Sequence, residues 1–215
     1  MNPHLATSVL EAGPAARPGR PLALLVHGRN QEPEFMLELA GRLGLQLPLR
    51  ALTAADRSWY PASFLAPFLD NQPRLDQALE RIEHFVATLE GRGWDRRELA
   101  LIGFSQGACL LSEYLYRKAG RWAAAALFTG GLIGPPGTVW KSTGSLSGTP
   151  VLSSTSRHDT WVPGARPEES AQVFERLHAE VQLEITEDRE HHVSEAQLKT
   201  ARAFLHAAGV PCSPS

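Results

Sequence analysis

Cysteine is scarce in this chain: Cys109 and Cys212 are the two in 215 residues, far apart in sequence. That excludes a disulfide framework and a zinc pattern built from paired ligands, and it fits a reducing cytoplasm. Long apolar runs are also missing, so no segment reaches the 18 or so residues of a membrane span. The first twenty residues lack the basic start and apolar stretch of a secretory signal. Charge of one sign is absent too: Lys plus Arg number 21 against 23 for Asp plus Glu. A net charge of −2 offers no electrostatic footprint for nucleic acid or anionic lipid. There is no internal repeat, heptad pattern or low-complexity tract.

What remains is an ordinary globular balance, 43% hydrophobic and 20% charged, enough to bury a core. The length argues for a single domain over 1–215, with an N-terminal segment at 1–20 holding a possible edge strand and a flexible tail at 211–215. A homodimer stays open, because pairing through an apolar patch leaves no spacing signature.

Short apolar runs rich in Val, Leu and Ile recur as LALLVH at 22–27, LALIGF at 99–104, AALFTG at 125–130, PVLSST at 150–155 and VQLEIT at 181–186, with a weaker one, LRALTA, at 49–54. They read as strands, most without a polar face, as in a parallel sheet covered on both sides; VQLEIT alternates and belongs nearer an edge. Between them, Leu75, Leu79, Ile82, Val86 and Leu89 recur at helical spacing, with Pro73 suited to that helix's first turn and Gly91 to its end. Ser194 and Gln197 form a capping-box signature ahead of a last helix through Leu198, Ala201 and Leu205. Alternating strands and helices imply an α/β fold with a mostly parallel, doubly wound sheet and chemistry at the carboxyl ends of the strands. Two loops stand out: an aromatic- and proline-rich one at 57–73, read as a wall over a site, and a surface connection at 134–148.

The sharpest motif is Gly103-Phe104-Ser105-Gln106-Gly107, a G-x-S-x-G. Alone it is weak. Here a buried-strand pattern precedes it, and Ala108, Leu111 and Leu115 follow at helical spacing, which is the strand, turn and helix of a nucleophile elbow. Such a turn strains Ser105, and the flanking glycines leave room where strand and helix nearly touch. A serine hydroxyl needs a base, and the base a carboxylate. In this sheet type the chain order is nucleophile, acid, base, each after its own strand. Asp159 follows one strand pattern; Asp188 and Glu190, the rival acids, sit too close to the candidate histidines. Of eight histidines, His4, His84, His178 and His206 lie in the tail or on helix patterns, His27 ends a strand, and His158 shares the acid's loop. His191 and His192 combine the right order and topology, and periodicity does not separate them. Oxyanion donors would come from the backbone N–H groups of Gln106 and Arg29, with Gly28 letting the chain approach closely. The Arg29 side chain reads as solvated, or as a draw for an anionic substrate group.

The segments LLVHGRN, SWYPASFLAP, LIGFSQGACL, FTGGLIG, GTPVLSSTSRHDTWVP and EHHVSEAQL, in this order, resemble the phospholipase/carboxylesterase family of small α/β-hydrolases, which includes acyl-protein thioesterase-like and lysophospholipase-like enzymes. The resemblance implies an α/β-hydrolase fold without a separate lid, and no cofactor and no metal. It implies Ser105 as nucleophile, Asp159 as orienting acid and His191 as base. His191 is chosen over His192 because the family's catalytic histidine precedes one variable residue, an aliphatic and a helix cap, here His192, Val193 and Ser194. The reaction implied is hydrolysis of a small-molecule ester or thioester through an acyl-serine. Trp59, Tyr60, Phe64, Leu65 and Phe68 are candidate pocket residues, and Trp161 stands where relatives carry a smaller or more polar residue and would narrow the acyl pocket. Asn30 and Glu190 stand where the family usually has glycine, which leaves a catalytically decayed binding protein as the alternative. A cysteine-nucleophile hydrolase of the dienelactone type fails, because Cys109 lies beyond the elbow.

Overall fold

The computed structural model describes residues 1–141 and 144–213. Ser142 and Thr143, within the expected surface connection, and Pro214 and Ser215, in the expected tail, lie outside the described residues. Among the described residues seven strands form one sheet: β1 (Val9–Ala12), β2 (Leu22–Val26), β3 (Leu49–Leu52), β4 (Leu99–Phe104), β5 (Ala124–Phe128), β6 (Pro150–Ser156) and β7 (Glu180–Thr186). Their order is β1-β3-β2-β4-β5-β6-β7. Only β1 runs antiparallel, against β3.

The central strands are apolar on both faces, and their alternation assigns each side chain to a layer. Leu22, Leu24 and Val26 of β2 with Leu99 and Leu101 of β4 face one way, against α2 (Arg74–Gly91), α3 (Gln106–Arg117) and α4 (Ala165–Arg176). Ala23 and Leu25 with Ala100, Ile102 and Phe104 face the other, against α1 (Pro33–Arg42) and α5 (Glu195–Ala207). The chain is thus an open, mostly parallel sheet with helices on both faces, the α/β-hydrolase architecture. VQLEIT is the outermost strand, its residues half-buried or exposed. Two helices went unread in the sequence, α1 and α4. No helix among the described residues is long and apolar enough to cross a membrane.

Both chain ends are tied down. The segment at 1–20 supplies β1, and His4 is fully buried. At the other end Cys212 bridges Leu45, and the Ser213 N–H donates to Gly44 O at 2.7 Å, so the chain is fixed through Ser213 where a loose tail was expected.

Two buried histidines brace the end of β2 and the loop behind it. His27 donates from Nδ1 to Gly28 O (2.7 Å) and accepts at Nε2 from the Ala54 N–H (3.1 Å). His4 donates from Nε2 to Trp59 O (3.1 Å) and accepts at Nδ1 from the Ala55 N–H (3.0 Å). Each must be neutral, since a second ring proton would face an N–H donor. Burial accordingly pulls His4 down to about 4, and burial lowers His27 as well. The unfolded chain therefore takes up these protons first as pH falls. Their contribution to stability is whole above about pH 6.5 and is lost as pH falls below it, towards about pH 4 for His4. We expect the urea midpoint to fall between pH 6.5 and 5, before the carboxylates titrate, and to fall less in His4→Gln. Equal slopes for wild type and variant would contradict this assignment.

Candidate active site

Three strand ends build the site. β4 runs into Ser105, which turns the chain into α3 with φ 53° and ψ −119°, a region that costs an L-residue strain. Its N–H is held by Phe128 O at 2.9 Å, and its own carbonyl accepts from the Cys109 N–H at 2.9 Å. The turn is this sharp because the flanking residues have no side chain. A Cβ on Gly107 would overlap Val26 O and lie 2.5 Å from His27 O, and one on Gly103 would lie 2.8 Å from Ala108 N.

Asp159 follows β6 and His191 follows β7, and the two loops converge on Ser105. His191 Nε2 lies 2.7 Å from Ser105 Oγ, and Nδ1 lies 2.7 Å from Asp159 Oδ2. The Asp159 side chain is fully buried and that of His191 is 21% exposed. Asp159 Oδ1 accepts from the N–H groups of Trp161 (2.8 Å) and Val162 (3.0 Å). Burial works against the carboxylate, but the bonds from His191, Trp161 and Val162 outweigh it and hold Asp159 below the usual range. An ionised Asp159 fixes the proton on His191 Nδ1 and leaves the Nε2 lone pair facing the serine hydroxyl. The Phe104 ring lies against the imidazole, centroids 5.3 Å apart.

His192 is elsewhere. It pairs with Asp188 Oδ2 (2.6 Å) and approaches Glu190 (3.5 Å). Neither rival carboxylate approaches His191: Asp188 instead shapes its loop. Asp188 Oδ1 accepts from the N–H groups of Arg189 (2.7 Å) and Glu190 (3.2 Å), and its carbonyl accepts from Ser156 Oγ, tying this loop to the one that carries Asp159. An aspartate turn thus shapes the chain ahead of His191, and Glu190 is not among the residues at positive φ. Asp188→Ala should lower kcat/KM roughly tenfold by letting His191 drift, whereas Asp188→Asn, which keeps Oδ1, should stay within about threefold. Ester-hydrolysis kinetics decide it; wild-type kinetics for the alanine variant would refute the bracing role.

On the opposite side, the end of β2 presents Gly28, Arg29 and Asn30. A Cβ on Gly28 would stand 3.1 Å from Ser105 Cβ, so this backbone abuts the serine. Asn30 adopts φ 60°, the left-handed conformation that asparagine tolerates, and its N–H donates to Arg57 O at 2.8 Å. The Arg29 N–H has no acceptor among the described residues, and the Gln106 N–H opens α3, where a helix leaves its first donors free.

A cavity of about 400 Å³ opens over Ser105, lined by Arg29, Asn30, the 60–64 segment, Gln106, Cys109, Trp161, Val162 and His191. Tyr60, Phe64 and Trp161 therefore wall it, with Trp161 72% exposed at the mouth. Trp59, Leu65 and Phe68 do not. Trp59 is fully buried beneath the wall, its Nε1 donating to His27 O at 2.8 Å; Leu65 and Phe68 pack on the core. Cys109 touches the cavity floor, but burial pushes its thiol up to about 12, so it is a neutral packing group. Arg29 is exposed, as a solvated reading expects, but its guanidinium is not loose: it donates to the carbonyls of Tyr60 (2.9 Å), Pro61 (2.5 Å) and Ala62 (2.6 Å).

Comparison with known proteins gives a consistent picture. The sequence profile of the phospholipase/carboxylesterase family matches residues 44–208. A phospholipase/carboxylesterase from Dyadobacter fermentans is 33% identical over 93% of this chain and 97% of its own, with a TM-score of 0.87. The Bacillus cereus carboxylesterase superposes with a TM-score of 0.79 at 18% identity, covering 94% of this chain and 95% of its own, a likeness of fold alone. None of the curated proteins matches the sequence.

Proposed function

The chain belongs to the phospholipase/carboxylesterase family, and from that membership we propose that it is a serine hydrolase cleaving carboxylic esters or thioesters through an acyl-Ser105 intermediate. One observation carries the reading: the Ser105–His191–Asp159 chain, with both links at 2.7 Å, opening on a cavity. His191 Nε2 takes the hydroxyl proton as Ser105 Oγ attacks the acyl carbon, and Asp159 stabilises the imidazolium that results. The oxyanion is met by the N–H groups of Arg29 and Gln106. Collapse breaks the acyl bond to the alcohol or thiol, which leaves with the proton from His191. A water then gives a proton to His191 and attacks the acyl carbon; as the bond to Ser105 Oγ breaks, His191 passes that proton to Oγ, releasing the acid and restoring the serine hydroxyl.

The cavity narrows the substrate. Its one cationic lining residue, Arg29, is committed to three carbonyls, and Tyr60, Phe64, Val162 and Trp161 are apolar walls. An uncharged acyl group suits it. The two cysteines are free and buried, which supports the reading of a reducing compartment. Against a decayed binding protein, Asn30 adopts a left-handed backbone that asparagine as well as glycine accepts, and Asp188 accepts the N–H groups of the turn before His191, both of which favour the enzyme reading.

The test is an alkyl fluorophosphonate, which reacts with an activated serine. Stoichiometric labelling mapped to Ser105 is expected. A chain that is folded yet inert to the probe would reject the proposal.

A further inference from the structure

The wall of the cavity is held by the same two residues whose backbone N–H groups face the reaction. The Tyr60 carbonyl accepts from Arg29 Nη2 (2.9 Å), from Gln106 Nε2 (2.8 Å) and from Ser58 Oγ (2.9 Å). Gln106 Oε1 meanwhile accepts from the Trp59 N–H at 2.9 Å. Arg29 reaches on to Pro61 and Ala62, and the buried Asn71 fastens the far side, accepting from the Ala62 N–H (2.8 Å) and donating to Ser63 O (2.9 Å). Segment 58–63 has no regular secondary structure, so these side chains stand in for the hydrogen bonds a strand or helix would provide.

The backbone of Arg29 is bracketed on either side. Gly28 N–H donates to Gln31 Oε1 (2.8 Å) and Asn30 N–H to Arg57 O (2.8 Å). Arg29 itself has no backbone bond among the described residues, so its side chain is what anchors it. A planar guanidinium with several donors can meet three successive carbonyls, a geometry an ammonium cannot match.

We propose that the Arg29 side chain is a positioning residue, which through the Tyr60, Pro61 and Ala62 carbonyls locks the cavity wall to the two backbone donors that meet the oxyanion. The proposal rests on the acyl-Ser105 reading. A donor that is retained but free to drift loses alignment mainly in the transition state, where it is needed. The cost should therefore fall on kcat and not on KM.

The experiment measures p-nitrophenyl butyrate hydrolysis by wild type, Arg29→Ala and Arg29→Lys, with fluorophosphonate labelling of all three and urea midpoints as a check of folding. Arg29→Ala should lose roughly tenfold or more in kcat with KM within about threefold, and label correspondingly slowly. Guanidinium at about 20 mM should recover severalfold of the lost kcat, because the vacated site is solvent-exposed, and equal sodium chloride should not. Arg29→Lys should fall between the two, and it carries the test alone if the alanine variant does not fold. Unchanged kcat in both variants, or a loss that guanidinium does not relieve, overturns the positioning role. Wild-type protein inert to the fluorophosphonate would instead strike the acyl-serine reading, so the two failures are separable.

Discussion

Ser105→Ala is expected to reduce kcat for p-nitrophenyl butyrate by about three or more decades, leaving a residual rate due to the oxyanion donors and binding. The substitution removes one oxygen and nothing else of consequence. Alanine keeps the Cβ already tolerated at φ 53°, and the bonds from Ser105 N–H to Phe128 O and from Cys109 N–H to Ser105 O are backbone bonds. His191 loses its partner at Nε2, but at 21% side-chain exposure that nitrogen can turn to water. The urea midpoint should therefore move little, with an unfolding free energy within about 1 kcal/mol of wild type, which separates loss of chemistry from loss of fold. Steady-state kinetics beside an unfolding curve make the check. Turnover within tenfold of wild type would mean that some other group attacks. Cys109 is the nearest nucleophilic candidate on the cavity floor, and a thiol held up at about 12 is a poor one.

Much of this site is legible in the sequence because its parts are short-range. The elbow needs glycine at Gly103 and Gly107 for steric reasons, and a buried strand must precede it; both can be read from a few neighbouring letters. The order of Asp159 and His191 after successive strands follows from topology, and His191 was separated from His192 by likeness to a family motif, which the geometry of His191 Nε2 and Ser105 Oγ matches. What stayed hidden depends on residues distant in sequence. Arg29 and the 60–62 carbonyls lie 31 to 33 positions apart, and no periodicity links a charged side chain to a loop backbone. Trp59 reads as pocket lining because the loop's aromatics carry no period that separates inward from outward rings; Trp59 is drawn inward against His4 and His27, whose burial is itself tertiary. Asp188, a rival acid by sequence, instead accepts from the N–H groups of Arg189 and Glu190 and shapes the loop before His191, a contact no motif encodes. Helix α4 was missed because its apolar residues, Val173 and Phe174, cluster near its end behind a charged first half. Helix α1 does carry a local signal, since Met36, Leu39 and Ala40 keep helical spacing after Pro33.

Gly107→Ala should be the most damaging methyl group the chain can be given near the site. The added Cβ would overlap Val26 O, sit 2.5 Å from His27 O and crowd Val26 C, all backbone atoms of the β2 end that cannot swing aside as a side chain could. Relief requires α3 to lift from β2. That motion pulls Gln106 and its N–H away from Ser105, and disturbs the β2 end that carries Gly28 and Arg29 beside the serine. Overpacking of this kind typically costs about 1–3 kcal/mol and more where backbone must move, so a loss of about 3 kcal/mol in unfolding free energy, read as a lower urea midpoint, is expected. A displacement near 1 Å at the reacting atoms should add roughly a hundredfold loss in kcat/KM. Gly41→Ala is the matched control: it lies within α1, nothing stands within 4 Å of its new Cβ, and helix propensity favours alanine by up to about 1 kcal/mol. Equal midpoints for Gly107→Ala and Gly41→Ala would show that strand and helix have slack at the elbow. In that case the strained φ of Ser105 would have to be held by its two backbone bonds, to the Phe128 carbonyl and from the Cys109 N–H.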